Sequence, residues 1–201
     1  MGNQVIITVG REFGSGGHEI AQKLAEKLQI KLYDRALIEE TAKKCGYKEE
    51  LIEKYDEKPV NHLFSKNING HTNSLEKHVA MQQFEVMKTF AQSGESFVVV
   101  GRCAEAILKD CPKLISLFIL GDESIKRARV QQIYKLSASE ALAKMKRHDR
   151  KRKAYHNSYA DGKWGDSRSY DLTINSSRLG IDQTVAILYD YIQMRIKQMA
   201  Q

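Results

Sequence analysis

The sequence of 201 residues has few cysteines and no long apolar run near its start, and each shortage excludes a class of protein. Its three cysteines, Cys45, Cys103 and Cys111, form no C-x-x-C pair and leave one cysteine over, so neither a disulfide framework nor a zinc site is indicated. The six histidines show no H-E-x-x-H or other paired metal spacing. The apolar stretch before Gly10 is too short for a signal peptide or a membrane span, which predicts a cytoplasmic protein without a membrane partner.

Five short apolar segments alternate with helical patterns along the chain. Strands are predicted at Val5–Val9, Ile30–Tyr33, Ser96–Val100, Leu114–Leu120 and Leu172–Ile174. Helices are predicted at about 16–28, 36–45, 49–55, 74–92, 104–109, 123–131, 139–155 and 181–199, and a loop at 59–73. Because strands of this kind alternate with helices, we expect an α/β fold with a doubly wound, mostly parallel, five-stranded sheet and flanking helices. One domain spans residues 1–201.

The residues between the first predicted strand and the first predicted helix read GREFGSGGHEI, from Gly10 to Ile20. In an open α/β sheet, this turn lies at the edge where ligands bind, and the helix N-terminus presents unpaired backbone N–H groups. Glycine allows positive φ and a close approach of the backbone to a ligand. The sequence therefore predicts a phosphate-binding loop built on Gly10, Gly14, Gly16 and Gly17.

This loop lacks the lysine of the usual phosphate-binding motif, G-x-x-x-x-G-K-[S/T]. Gly17 and His18 follow Gly16, and no lysine comes after the last glycine. The dinucleotide fingerprint G-x-G-x-x-G fits poorly as well, because its sixth position holds Glu19. Two interpretations remain: a plain glycine-rich turn, or a phosphate cradle in which Arg11 supplies the missing positive charge.

Four segments together resemble one known family. They are GREFGSGGHEIAQKLAEKL at 10–28, YDR at 33–35, VVVGRCAEAIL at 98–108 and YDLTINSSRLGID at 170–182. They are similar, in the same order and over nearly the whole chain, to the cytidylate-kinase-like family of P-loop nucleoside monophosphate kinases. The chain resembles a bacterial branch of it more than the cytidylate kinases themselves. The resemblance implies a Rossmann-like core, a helical acceptor-binding insertion at about 35–93, and a basic lid at about 137–168 that closes over ATP.

Carried over by position, the resemblance implies roles for individual residues. Donor phosphates would be wrapped by Gly14, Ser15, Gly16, Gly17 and His18. The acceptor would lie against Asp34, Arg35 and Arg102. Charge on the migrating phosphoryl group would be neutralised by the lid arginines, Arg147, Arg150 and Arg152.

The sequence departs from the family pattern at several of these positions. Gly17 stands where the family has its phosphate-loop lysine, and Glu19 stands where it has the Ser or Thr that binds magnesium. Val100 and Glu40 replace an aspartate and an arginine near the acceptor. Because phosphoryl transfer needs positioning and positive charge more than covalent chemistry, we expect Arg11 to replace the lysine as a catalytic cation. Glu19 is then the predicted ligand of Mg²⁺, directly or through water.

The basic character of the chain is confined to one segment. Of the net charge of +7, the ten residues Lys144–Lys153 account for +6. Three interpretations are open: a solvated helix face, a nucleic-acid patch, and the kinase lid. Arg147 and Arg150 share one helix face, Asp149 interrupts the run, and no Tyr, Phe or Trp interleaves with it, which favours the lid over nucleic acid. A lid rich in charge and poor in buried apolar groups is expected to be mobile.

The function that the sequence favours is magnesium-dependent transfer of a phosphoryl group from ATP to a nucleoside monophosphate, with cytidylate as the acceptor that the resemblance suggests. A nucleotide-binding sensor or regulator with the same fold, and a kinase of another small acceptor, are the alternatives. Met and Phe residues of the predicted helix at 74–92 form a core face or a contact with a second subunit, which leaves a homodimer open.

Overall fold

The computed structural model describes residues 4–58, 67–68, 71–72 and 75–200, and the side chain of Arg35 lies outside this description. The strands are β1 Ile6–Arg11, β2 Lys31–Tyr33, β3 Asn67–Ile68, β4 His71–Thr72, β5 Phe97–Val100, β6 Leu114–Leu120 and β7 Leu172–Asn175. The α-helices are α1 Gly17–Leu28, α2 Arg35–Cys45, α3 Glu49–Tyr55, α4 Leu75–Gln92, α5 Ala104–Ile107, α6 Glu123–Tyr134, α7 Ala138–Tyr159 and α8 Gly180–Met199.

Five of the strands form one parallel sheet in the order β2-β5-β1-β6-β7. The central strand β1 pairs with β5 on one side and β6 on the other, so that Ile6 lies opposite both Phe97 and Leu114. Its apolar residues are fully buried because helices cover both faces. The predicted doubly wound α/β fold is confirmed, and all five strands of this sheet are parallel.

Successive side chains of β1 enter two separate cores, as the pleat of a strand requires. Ile7 and Val9 pack with apolar side chains of α1 and α8. Ile6 packs on the opposite face in a cluster that includes Phe84 of α4 and Tyr155 of α7. Leu37 of α2 belongs to the same cluster, so α2, α4 and α7, which carries the basic segment, lie on one face of the sheet.

The segment between β2 and β5 is helical, as predicted for the acceptor-binding insertion. Its helices α2, α3 and α4 pack together through Ile38, Ala42, Ile52 and Val79. Most of the loop predicted at 59–73 lies outside the described residues, and the described part pairs Asn67–Ile68 antiparallel with His71–Thr72. The boundaries of the insertion and of the lid stay predictions.

The basic segment forms the middle of α7, a helix of 22 residues. Ser137 caps its start through a reciprocal capping box with Glu140. The helix buries Met145, Tyr155 and His156, so the expectation of a lid poor in buried groups is wrong. Because Tyr155 of α7 is part of the core on one face of the sheet, the C-terminal half of this helix is held in place by buried contacts.

No helix within the described ranges is both long and apolar enough to cross a membrane.

We predict that Leu188→Ala lowers the free energy of unfolding by about 2–5 kcal/mol, because this α8 side chain is completely buried against the sheet. Met194→Ala on the same helix is the control, since Met194 is 62% exposed, and its effect should stay within about 0.5 kcal/mol. Urea unfolding measures both. Equal losses in the two variants would show that α8 does not use this face.

Candidate functional site

The loop between β1 and α1 leaves the helix N-terminus open. Gly14 and Gly16 have φ of +85° and +79°, in the left-handed region that favours glycine. Ser15 Oγ donates to the Glu12 carbonyl at 2.8 Å and accepts from the Gly17 N–H at 3.3 Å. The N-cap residue of α1 is Gly16, which has no side chain to cap the helix, and the positive end of the helix lies at the adjoining cleft.

That cleft has a volume of about 510 Å³ and lies at the carboxyl edge of the sheet. It is lined by the loop and the first turn of α1, by Asp34 after β2, and by Arg129 and Tyr134 of α6. The cleft is lined by five of the predicted phosphate-binding and metal-binding residues, which are Gly14, Gly16, Gly17, His18 and Glu19. Gly10 lies behind it, where an added Cβ would lie 2.7 Å from the Phe118 ring.

Arg11 enters the site from the end of β1 and is paired with Glu57, the second residue after α3. Its two terminal nitrogens donate to the two Glu57 oxygens at 3.0 and 3.3 Å. Gly101 makes room for this pair, because an added Cβ there would lie 2.0 Å from Arg11 Nη1. Arg11 thus lines the cleft but directs its guanidinium toward β5 and Glu57.

Arg102 is buried and has several carboxylate partners. Nε and Nη2 donate to the two oxygens of Asp56 at 3.0 and 2.7 Å, and Nη1 donates to Asp34 and to the Val100 carbonyl. Its backbone N–H donates to Glu57 at 2.9 Å. Four of the five guanidinium N–H groups are therefore engaged, and most of the charge of Arg102 is already paired with Asp56 and Asp34.

Arg152 of α7 completes a cluster of three arginines, Arg11, Arg102 and Arg152, which we call the basic cluster. Its Nη1 donates to the Arg11 carbonyl at 3.3 Å, and its Nε lies 3.9 Å from Glu57. Burial and the charge of Arg11 lower the pKa of Arg152 to about 10. Burial would raise the pKa of Glu57, but the three arginines lower it to about 2. Glu57 is therefore ionised and supplies negative charge to all three arginines of the basic cluster.

His18 and Asp34 link the predicted donor side of the site to the predicted acceptor side. His18 Nδ1 lies 3.1 Å from Asp34 Oδ2. Burial would raise the pKa of Asp34, but hydrogen bonding with His18 and the charge of Arg102 hold it well below its usual value. The Asp34 carboxylate is therefore ionised at neutral pH and faces the cleft. The predicted acceptor role of Arg35 concerns a side chain outside the described part of the chain.

Two cations of α6 approach the loop, and the sequence reasoning missed both. Arg129 lines the cleft and donates to Glu19 at 2.5 Å, while Lys126 donates to Glu12 at 2.6 Å. Glu19, the predicted magnesium ligand, thus faces the cleft while paired to Arg129. The signal that would have found these cations is their spacing of three residues on the helix that follows β6.

Of the remaining residues of the basic segment, some contact the loop between β1 and α1 and others are exposed to solvent. Asp149 accepts a hydrogen bond from the Phe13 N–H at 2.7 Å, and the His148 ring stacks on the Phe13 ring with centroids 4.3 Å apart. Burial and the charge of Arg152 lower the pKa of His148 to about 4, so its ring is neutral. Arg147 and Arg150, both predicted to be catalytic, are exposed and lie outside the cleft in this structure.

A small pocket behind the basic cluster contains the sole tryptophan of the sequence. Trp164 packs edge-on against Phe118 with ring centroids 5.4 Å apart. Arg11, Arg102 and Glu57 line the same pocket. Trp164 therefore packs against the core and also lies next to the basic cluster.

Comparisons with solved structures define the class of fold. Over 94% of this chain and 98% of the other, the structure resembles shikimate kinase from Bacteroides thetaiotaomicron, with 12% identity and a TM-score of 0.56. Shikimate kinase from Acinetobacter baumannii in complex with shikimate gives 14% identity, a TM-score of 0.53, and coverage of 95% and 94%. The fold is that of the P-loop kinases.

The family is more specific. The model of the cytidylate kinase-like family matches residues 6–178, and the chain belongs to that family. A crystal structure of a protein from Eubacterium ventriosum ATCC 27560 is 39% identical, with a TM-score of 0.75 over 94% of this chain and 99% of that one. No functionally curated protein matches the sequence. Family membership supports a nucleotide-dependent kinase as the general function.

We predict that Glu57→Gln reduces the pH dependence of stability between about pH 5 and pH 2. The folded-state pKa of about 2 lies below the ordinary value of 4.5, so Glu57 stabilises the fold above about pH 4.5 and this contribution is lost as the pH falls. The loss removed by the variant is up to about 3 kcal/mol. Urea unfolding at several pH values measures it, with the exposed α3 variant Glu53→Gln as control. Identical pH slopes for Glu57→Gln and wild type would contradict the pairing.

Proposed function

We propose that this protein transfers the γ-phosphoryl group of ATP to a small acceptor bound beside Asp34. The observation that supports this most directly is the cleft itself. It joins the N-terminus of α1, a glycine-rich loop, three arginines and an ionised carboxylate within one volume of about 510 Å³. Phosphoryl transfer requires these elements: a phosphate cradle, cations near the migrating group, and a group that orients the attacking oxygen.

The donor nucleotide would place its phosphates on the loop from Gly14 to His18. Arg129 and Arg152 line this cleft, so the charge of the absent phosphate-loop lysine is supplied from α6 and α7, with Arg11 at the acceptor side. A second pocket of about 180 Å³ shares Gly14 and Arg129 with the cleft and adds the apolar Ile125 and Ile181. This apolar pocket suits the base of the nucleotide.

The residues at the cleft also suit the magnesium ion that the family uses with ATP. Mg²⁺ prefers oxygen ligands, and the carboxylates of Glu19, Glu12 and Asp34 line the cleft beside the phosphate loop. Glu19 is the ligand that we propose, and it must exchange its bond to Arg129 for the ion. The ion, when bound, would neutralise charge on the β- and γ-phosphates.

A nucleoside monophosphate is the acceptor that we propose first, with cytidylate as the family resemblance suggests. Asp34 would accept a hydrogen bond from a hydroxyl or amino group of the nucleoside and so orient the acceptor. Its phosphate carries the negative charge that Glu57 and Asp56 now supply to Arg11 and Arg102. Binding would therefore exchange internal carboxylates for substrate oxygens, so acceptor affinity includes the cost of displacing them.

The same carboxylates favour a second candidate acceptor. With Arg11 and Arg102 already paired, the acceptor side of the site holds little uncompensated positive charge. An acceptor that offers a hydroxyl group and carries no phosphate would bind beside Asp34 without displacing Glu57 or Asp56. A kinase of a small hydroxylated metabolite fits this geometry.

One assay separates these acceptors. The protein is incubated with ATP and Mg²⁺ and, separately, with each nucleoside monophosphate and a panel of polyols and hydroxy acids. ADP formation is followed together with the phosphorus NMR spectrum of the product. We expect a nucleoside diphosphate from the first group, whereas a phosphate monoester from the second group selects the hydroxyl acceptor. ATP binding without transfer to any acceptor would contradict the kinase and leave the nucleotide sensor.

We predict that Arg152→Ala lowers the turnover number about 100-fold or more, because a half-buried guanidinium that lines the cleft is removed. Arg127→Ala is the matched control, since Arg127 lies on α6 outside the cleft residues, and it should keep wild-type turnover. Initial rates of ADP formation at saturating ATP measure both. Unchanged turnover in Arg152→Ala, with intact circular dichroism, would exclude Arg152 from the transfer step.

We further propose that the protein is cytoplasmic and binds small-molecule substrates, and that a homodimer is open to it through α4. Within the described helices, Phe84 and Met87 of α4 are buried in the protein's own core, whereas Met81 is 43% exposed. A contact with a second subunit through α4 would therefore use Met81. Analytical ultracentrifugation measures the oligomeric state.

A further inference from the structure

Three side chains with metal-binding atoms meet beside the basic cluster, and the proposed phosphoryl transfer uses none of them. Cys103 directly precedes α5, Glu105 lies in α5, and His156 lies near the end of α7. The Cys103 sulfur, a Glu105 oxygen and a His156 ring nitrogen all lie within 4.8 Å of one another. All three residues are buried, with 3%, 7% and 4% of their surface exposed.

Both ring nitrogens of His156 have partners that fix the ring. Nε2 lies 2.6 Å from Glu105 Oε1, and Nδ1 lies 3.2 Å from Asn157 Oδ1. The same Asn157 oxygen accepts a hydrogen bond from the backbone N–H of Trp164 at 3.0 Å. Because an amide oxygen only accepts hydrogen bonds, Nδ1 must carry the proton that it shares with Asn157. Nε2 is therefore the nitrogen that can exchange its contact with Glu105 for a metal ion. Asn157 orients the ring through Nδ1, as hydrogen-bond partners of metal-bound histidines do.

A cavity connects this cluster with solvent. Glu105 and His156 line a volume of about 280 Å³ that also reaches Lys109, Asp161 and Ser169. This volume is large enough for an entering ion and for a water molecule that completes its coordination. Two of the three side chains with metal-binding atoms, Glu105 and His156, therefore adjoin a space that can hold water.

We propose that Cys103, Glu105 and His156 bind one Zn²⁺ ion, with water from the cavity as the fourth ligand. Thiolate, imidazole and carboxylate are the donors that zinc takes in proteins, whereas Mg²⁺ and Ca²⁺ take oxygen. The ion replaces the proton between His156 and Glu105 and the proton of the Cys103 thiol, and both protons pass to solvent. Zinc bonds of about 2.0 Å hold the nitrogen and oxygen about 3.3 Å apart, so the 2.6 Å contact opens by about 0.7 Å.

The charges of this site balance in both states. With zinc, the ion is matched by one thiolate and one carboxylate, which avoids an uncompensated buried charge. Without zinc, burial and the carboxylates of Glu105 and Glu57 raise the pKa of the Cys103 thiol. The sulfur is then an uncharged thiol at neutral pH and a poor nucleophile, which argues against a catalytic cysteine here.

A zinc ion bound at this position would have a structural role. Cys103 directly follows Arg102 in the chain, and His156 lies one helical turn after Arg152. An ion held by Cys103 and His156 therefore connects the turn after β5 to α7 and fixes the spacing between two arginines of the basic cluster.

Cobalt substitution tests the site in the complete chain. We expect one Co²⁺ per chain, a thiolate-to-cobalt charge-transfer band in the near ultraviolet, and intense visible bands typical of four-coordinate cobalt. Zn²⁺ should displace the cobalt and remove the visible bands. Cys103→Ser should abolish the charge-transfer band, and Cys111→Ser, the matched control, should retain it. A band that survives in Cys103→Ser, or no band in the wild type, would overturn the proposal.

A second measurement needs no variant and so is independent of any folding defect. The X-ray absorption spectrum of the zinc-loaded wild type should show one sulfur and three nitrogen or oxygen neighbours. A shell of nitrogen and oxygen alone would mean that zinc binds elsewhere and would overturn the site. Neither measurement requires ATP or an acceptor, so its result is separate from the kinase assay.

Discussion

The mutual neutralisation of arginines and carboxylates at the carboxyl edge of the sheet is the constraint on which this site depends. Arg11, Arg102 and Arg152 arrive from three different elements, and burying their like charges together would be strongly unfavourable without partners. Asp56 and Glu57 supply these partners directly after α3. The helical segment between β2 and β5 is therefore part of the electrostatics of the cleft. Any substrate anion that enters must compete with these carboxylates.

The helix α7 joins the separate parts of the site. Asp149 and His148 contact the loop between β1 and α1 at Phe13, Arg152 reaches the end of β1, and Tyr155 anchors the helix in the core. Its N-terminal half packs on α6 through Ala141 and Met145, and its C-terminal half packs in the core through Tyr155. Both halves of α7 are therefore part of the folded core.

Local patterns in the sequence determine the fold and the loop, and distant pairings determine the rest. Apolar β-branched runs predict the strands because a parallel sheet covered on both faces needs them, and Leu114–Leu120 is predicted to the residue. Gly14 and Gly16 predict the turn after β1 because glycine readily adopts the positive φ that this turn needs. Glu57, in contrast, sits in a charged stretch typical of a solvated surface. Cys103 and His156 are 53 residues apart in sequence, so spacing rules for zinc could not join them.

The place of Trp164 has a practical consequence. Its indole ring packs against Phe118 in the pocket that Arg11 and Glu57 also line, and the sequence holds no other tryptophan. Indole emission responds to the polarity and charge of its surroundings. The chain thus carries an intrinsic fluorophore whose signal arises beside the guanidinium groups, and rearrangement there can be followed in real time without a label.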